Sequence, residues 1–222
     1  MKKSAVVLLS GGIDSSTALF IAKKNGYKCF SLIFDYGQRN IREIDSAKSI
    51  SKKAGCSYTL LKLSLPWKGG ALLDSRIKLP ERSRKKGIPP TYVPARNTIM
   101  LVFALSFAES IGASRIFIGA HTEDYSGYPD CRPEYFKAFN KVKDLGTKIG
   151  KKIKIITPLI YKTKAEIIKL GINLGIPYHL TWSCYRGGKR PCGKCDSCYY
   201  RLKGFREAGI SDPLKYERSK DI

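Results

Sequence analysis

Ser10-Gly11-Gly12-Ile13-Asp14-Ser15-Ser16 is the stretch from which the rest of the chain is read. It follows a short apolar run at residues 4–9 that fits a buried parallel strand. After it, Ala18, Leu19, Ile21 and Ala22 recur at helical spacing over residues 15–25, and Gly26 stops the pattern. Strand, glycine-rich turn and helix in that order form an anion site, because a helix N-terminus offers unpaired N–H groups and a partial positive charge. Gly11 and Gly12 let the backbone approach a phosphate, and Ser10, Ser15 and Ser16 supply hydroxyls. With its flanking residues, the candidate nucleotide-binding set is Leu9, Ser10, Gly11, Gly12, Ile13, Asp14, Ser15, Ser16 and Thr17. No lysine lies in the loop to grip a terminal phosphate; Asp14 instead sits where it can help hold Mg²⁺. The plainer alternative is a strand–helix turn with Asp14 and Ser15 as caps.

Outward from the loop, the pattern alternates. Residues 28–34 read as a second strand, and 38–54 as a helix with Ile41, Ile44, Ala47, Ile50 and Ala54 on one face. Residues 58–63 read as a third strand. Residues 64–94, rich in Pro and Gly, form a long irregular insert of the kind that often carries function. Helix is expected at 95–111, strand at 115–119, helix near 133–149, strand at 153–157 and helix at 163–174. This alternation predicts an α/β fold, a doubly wound parallel sheet over residues 1–177. From residue 178 the pattern gives way to a small Cys/Gly-rich segment, 178–222, with a short helix near 196–208.

That segment holds Cys184, Cys192, Cys195 and Cys198, four of the chain's seven cysteines. An odd count with one tight cluster argues for a metal rather than a disulfide framework. Two Cys-x2-Cys turns suit a structural, four-coordinate Zn²⁺, with an iron–sulfur cluster or free thiols as alternatives. Basic Lys189, Arg190 and Lys194 leave open a nucleic-acid-binding knuckle.

The chain carries 41 Lys and Arg against 18 Asp and Glu, a net charge of +23, so its field attracts polyanions such as nucleotides. The basic residues are scattered, unlike a dedicated nucleic-acid arm. No apolar run is long enough to span a bilayer, and the apolar stretch after Met1 runs into the glycine turn rather than a cleavage site. The expectation is a soluble cytoplasmic protein.

Further candidate residues lie at other strand–helix junctions. Lys164, opening the last helix of the α/β pattern, can neutralise charge on a transferring phosphoryl group. The stretches 35–39, 91–97 and 123–133 are rich in polar and special-geometry residues. Within them Tyr125 and Tyr128 can stack on a flat heterocycle, Asp124 and Asp130 can accept from ring N–H groups, and Arg96 and Arg132 can pair a carboxylate. Ordinary loop and capping chemistry is the alternative for each.

The loop resembles that of the PP-loop ATP pyrophosphatases, which implies attack of a substrate oxygen on the α-phosphorus with loss of pyrophosphate. The wider set resembles the 7-cyano-7-deazaguanine synthase family of queuosine biosynthesis. It comprises Ser10 to Ser16, Tyr36-Gly-Gln-Arg39, Val93-Pro-Ala-Arg-Asn97, Asp124-Tyr-Ser-Gly-Tyr-Pro-Asp130, Thr181-Trp-Ser-Cys184 and Cys192-Gly-Lys-Cys-Asp-Ser-Cys198. The resemblance implies a carbon–nitrogen ligase using ATP and Mg²⁺, with structural Zn²⁺, on 7-carboxy-7-deazaguanine and ammonia. It implies Asp14 and Lys164 as catalytic residues and Arg39, Arg96, Asn97, Asp124, Tyr125, Asp130 and Arg132 as substrate-binding residues. It also implies a homodimer with no requirement for nucleic acid. Glu123, Asp124 and Asp130 are candidate acceptors of the ammonium proton. Two departures stand out: Asn40 where the family usually has His, and His121-Thr122-Glu123 where smaller or amide residues are usual. The competing functions are a PP-loop enzyme that adenylates a tRNA base for thiolation, with Cys131 near the cleft, and a non-enzymatic zinc-knuckle nucleic-acid-binding protein.

Overall fold

The computed structural model describes residues 3–67, 70–81, 87–122 and 128–217. Five parallel strands run β1 (Ser4–Leu8), β2 (Lys28–Asp35), β3 (Ser57–Lys62), β4 (Arg115–Phe117) and β5 (Lys154–Ile156). They pair in the order β3-β2-β1-β4-β5. The helices are α1 (Ile13–Lys24), α2 (Arg42–Lys53), α3 (Arg96–Ser110), α4 (Pro133–Gly146), α5 (Lys164–Asn173) and α6 (Asp196–Glu207).

β1 is central, paired with β2 on one side (Val6 opposite Phe30) and β4 on the other (Val6 opposite Ile116). Its side chains alternate between two cores, as the period of a strand requires. Val6 and Leu8 pack with Leu32, Leu101, Ala104 and Ile116 on the face covered by α3. Ala5, Val7 and Leu9 pack with Leu19, Ile33, Ile44 and Ile50 on the face covered by α1 and α2. Both faces being covered is what makes β1 apolar without interruption. A third cluster joins Ile13, Leu159, Ile167 and Ile168 to Phe205 of α6, so the last helix shares a core with α1 and α5.

Helix α2 starts later than its periodicity predicts. The Gln38 amide closes the preceding turn, accepting from the Tyr36 N–H at 2.8 Å and donating to the Phe34 carbonyl at 3.1 Å. Asn40 Oδ1 then accepts from the Arg42 N–H at 3.1 Å. These local side-chain bonds outcompete the helix over 38–41. Ile41, expected on the apolar face, is therefore 67% exposed. The described residues of the insert are irregular as expected, but they are folded into the main core through Ala71, Leu72, Leu79 and Val93.

Gly11 has φ +78°, and a Cβ there would lie 2.5 Å from the Ala47 nitrogen and 2.6 Å from the Glu43 carbonyl. The loop and α2 thus meet backbone to backbone. Gly11→Ala is expected to destabilise the fold by about 2 kcal/mol or more, read as a lower urea midpoint; an unchanged midpoint would show that the loop is not held by this contact.

Candidate active site

The strand order reverses between β1 and β4, and a parallel sheet binds ligands in the crevice at that point. A cavity of about 340 Å³ lies there. Gly119, just past β4, lets the two elements close together: a Cβ on it would sit 2.6 Å from the Asp14 carbonyl carbon.

Leu9, Ser10, Gly12, Ile13, Asp14 and Ser15 line the cavity. Gly12 caps α1 in an extended conformation with no side chain bonded over the helix end. The first N–H groups are thereby left for an anion. The Ser10 and Ser15 hydroxyls lie 3.0 Å apart, and Ser15 Oγ also accepts from the Ser10 N–H at 3.2 Å. The remaining candidates of the loop face the protein: Gly11 against α2, Ser16 fully buried, and Thr17 with its hydroxyl donating to the Ile13 carbonyl at 2.8 Å.

Lys164 opens α5, whose start is fixed by a capping box. The Glu166 N–H donates to Thr163 Oγ1 at 3.2 Å, and the Thr163 N–H donates to Glu166 Oε2 at 2.8 Å. Gly204 of α6 gives the lysine stem room; a Cβ there would lie 2.4 Å from Lys164 Cγ. The ammonium reaches both oxygens of Asp14 at 2.9 Å and lies 3.0 Å from His121 Nε2. Burial alone would raise the Asp14 carboxyl, but Lys164 and His121 more than reverse it and hold it well below the usual carboxylate range. Asp14 is therefore ionised wherever the protein is folded near neutrality. His121, one of the two departures noted in the sequence, is 6% exposed and lines this end of the cavity.

The opposite end is built by α3. Its N-cap, Ala95, takes a left-handed φ of 52° and Arg96 follows. Arg96 Nη1 donates to the Tyr36 hydroxyl at 3.4 Å. The Asn97 N–H donates to Asp130 Oδ2 at 2.9 Å, and Asn97 Nδ2 donates to the Asp130 carbonyl at 3.1 Å and lies 3.2 Å from the Cys131 sulfur. Arg96, Asn97, Tyr128 and Cys131 line the cavity, whereas Asp130 stands behind Asn97 and positions it. Tyr92 stacks on Tyr128 at 5.8 Å between centroids, and the Tyr128 hydroxyl meets Thr91 Oγ1 at 2.8 Å. Arg39 also lines the cavity, its Nη1 tied to the Ala71 and Ile77 carbonyls at 3.3 and 3.1 Å. Arg132 is exposed and off the cavity wall. Glu123, Asp124 and Tyr125 lie outside the described residues.

Among the wall residues that the sequence does not single out, one is acidic and close to the loop. Glu43, in the first turn of α2, lines the cavity between the loop and Arg96. Burial, opposed by Arg96 and Gln38, pushes its carboxyl up to about 7. A glutamate in the first turn of a helix reads as dipole chemistry, so only the fold reveals that it faces a cavity.

The four C-terminal cysteines are buried, with sulfurs all within 4.8 Å of one another. A tetrahedral Zn²⁺ would hold thiolates about 3.8 Å apart; Cys192 and Cys198 are at 4.0 Å. A cluster of several irons would spread them further, so the donor set fits a single ion. N–H groups of Arg186 and Cys192 point at the Cys184 sulfur, and those of Lys194 and Cys195 at the Cys192 sulfur, all at 3.4 Å. Such donors stabilise thiolates. The Cys184 thiol is pushed far down, first by the neighbouring Cys195 and Cys198 and then by these N–H groups.

The cluster is joined to the phosphate loop. The Trp182 N–H donates to the Gly11 carbonyl at 2.9 Å, and the Trp182 ring carries the Arg42 guanidinium at 4.3 Å. Asn40, the other departure, donates through Nδ2 to the Cys184 carbonyl at 2.6 Å. Buried Arg201 on α6 binds Asp212 through Nε and Nη2 at 2.7 and 2.9 Å and Thr181 Oγ1 at 2.8 Å.

An open helix N-terminus at the switch point of a parallel sheet, with a four-thiol centre beside it, defines an α/β protein of the PP-loop fold. Solved structures agree on the fold. NMN synthetase from Francisella tularensis superposes with TM-score 0.54 at 16% identity, over 95% of this chain and 79% of that one. A predicted subunit of tRNA methyltransferase from Methanocaldococcus jannaschii superposes with TM-score 0.52 at 18% identity, over 98% and 94%. The family is given by sequence: residues 4–209 match the model described as Queuosine biosynthesis protein QueC, and the chain belongs to that family. The 7-cyano-7-deazaguanine synthase of Thermoplasma volcanium is 52% identical, covering 98% of this chain and 92% of its own. That of Trichodesmium erythraeum is 52% identical over 95% and 99%. Neither the thiolation nor the zinc-knuckle reading is favoured by these relatives.

Proposed function

We propose that this chain makes 7-cyano-7-deazaguanine, the product its relatives are named for, from 7-carboxy-7-deazaguanine and ammonia with two ATP. The observation that carries the reading is one cavity lined both by an open phosphate loop and by Arg96, Asn97 and Tyr128.

A carboxylate repels nucleophiles. Transfer of AMP to its oxygen removes that charge and creates a leaving group. The α1 N–H groups and the Ser10 and Ser15 hydroxyls hold the phosphates, and Lys164 neutralises charge developing on the transferring phosphoryl. Asp14 orients Lys164 and offers a carboxylate to the Mg²⁺ that accompanies ATP. Arg96 pairs the substrate carboxylate, with Asn97, held by Asp130, beside it. Arg39 closes the insert over the base; Asp124 and Tyr125, outside the described residues, remain substrate-binding candidates. Ammonia displaces AMP to give the amide. A second adenylation, now on the amide oxygen at the same carbon, lets AMP leave again and forms the nitrile. Zn²⁺ on Cys184, Cys192, Cys195 and Cys198 is structural, since four thiolates leave no open position. The same reading takes the enzyme as a cytoplasmic homodimer acting on the free base, with no need of nucleic acid.

The test is pyrophosphate release from ATP in the presence of the acid, with and without ammonium. Release that requires the deazapurine acid supports the reading. Release equal without it, or dependent on tRNA, would overturn it.

A further inference from the structure

We infer that Glu43 is the catalytic residue that takes the proton from ammonium so that ammonia can attack the adenylated carboxyl. The inference deepens the reading above and rests on it.

The position is set by backbone. Glu43 stands one turn into α2, with its carbonyl packed on Gly11 of the phosphate loop. Its side chain lines the same cavity as Asp14, Arg96 and Tyr128. It thus lies close both to the phosphate loop and to Arg96, the residue assigned to the substrate carboxylate. The charged and polar groups around it come from α3 and from the turn after β2. Arg96 opens α3, Tyr36 lies in the turn after β2, and the Gln38 amide lies in the same turn. Tyr36 is pushed up to about 12, first by burial and then by Glu43, so it offers no proton acceptor near neutrality. Among the described residues the other carboxylates on the wall are Asp14 and Asp196. Asp14 is committed to Lys164 through both oxygens, and Asp196 lies beside Cys195 at the start of α6. Asp130, a candidate from the sequence, is used behind the wall by Asn97. Glu43 remains, held near 7, where a carboxylate can both accept a proton and release it.

The step balances. Ammonium gives one proton to a Glu43 carboxylate oxygen. The freed lone pair forms the C–N bond. The C–O bond to AMP breaks with its electron pair on the phosphate oxygen, and the second nitrogen proton leaves with the AMP phosphate. Glu43 then loses its proton to solvent.

Glu43→Gln removes the acceptor and keeps the shape. With ammonium at pH 7 the variant is expected to form amide 10²-fold or more slowly, on the order of a lost general base. Hydroxylamine is already neutral at that pH and needs no such acceptor. It is expected to give the hydroxamate at rates within a few-fold of the wild type, with acid-dependent pyrophosphate release intact. In the wild-type protein at fixed total ammonium the reaction should rise through about pH 7 and then level off, whereas uptake of free ammonia from solution would keep climbing toward ammonium's own, much higher pKa; the hydroxylamine reaction stays flat. Equal loss with both nucleophiles would make Glu43 structural and overturn the inference, as would full activity with ammonium. If Glu43→Gln does not fold, the wild-type profile decides: an ammonium rate that keeps climbing above about pH 7 without levelling off, or that parallels the hydroxylamine rate, overturns it. Failure of the wild type to release pyrophosphate with the acid would instead sink the underlying function.

Discussion

Asp14→Asn is expected to lower acid-dependent pyrophosphate release by on the order of a thousandfold. Both carboxylate oxygens hold the Lys164 ammonium at 2.9 Å, and His121 stands 3.0 Å from the same nitrogen. Without the charge, Lys164 loses its anchor and the cavity loses its only carboxylate on the phosphate loop. The asparagine keeps the shape of the helix start. Asp14→Ala would add a fold penalty, roughly 2 kcal/mol, below that of a fully buried pair because the Asp14 side chain is 24% exposed. The pH dependence has a definite sign. A depressed carboxyl contributes stability above its unfolded value of about 3.9 that is lost as the solution is acidified below it. The wild type should therefore lose more stability than Asp14→Asn on acidification below about pH 4. The measurement is a pyrophosphate assay beside urea unfolding; retained release with an intact fold would remove Asp14 from the chemistry.

Cys195→Ser has the second large effect. The four sulfurs form one buried cluster, and Trp182 within that cluster bonds directly to Gly11. Loss of one thiolate should release about one metal equivalent per chain and destabilise the protein by several kcal/mol, since binding and folding of such a segment are one equilibrium. The phosphate loop should loosen with it, so activity falls although no cysteine of the cluster belongs to the phosphate loop. Metal analysis of the purified variant, with thermal unfolding, checks this. A variant that is folded, active and metal-free would contradict a structural metal.

The parts of this protein that were legible in its sequence are those whose chemistry is local. β1, the Ser-Gly-Gly loop and α1 are contiguous, and each has its own periodicity or turn chemistry. The cysteines announce themselves by spacing within fifteen residues. What stayed hidden depends on contacts far apart in the chain. Asp14 and Lys164 are 150 residues apart, and sequence placed both at strand ends without showing that they touch. The bond from the Asn97 N–H to Asp130 spans 33 residues and is likewise invisible in the sequence. Glu43 looked like nothing more than a helix-end acid. Ile41 was placed on an apolar face because periodicity cannot see the Gln38 and Asn40 side chains that delay the helix. Asn40 shows the converse: a departure in sequence proves to be a strut, its amide joining the start of α2 to the cysteine segment.

One reaction tests the central claim most directly. The purified protein is incubated with 7-carboxy-7-deazaguanine, ammonium and Mg-ATP, and the products are followed by mass spectrometry together with AMP and pyrophosphate. The expected result is the nitrile, with the amide appearing first and two AMP and two pyrophosphate formed for each nitrile. Nitrile absent despite acid-dependent pyrophosphate release, or a single AMP per nitrile, would contradict an active site that twice adenylates an oxygen on the same carbon.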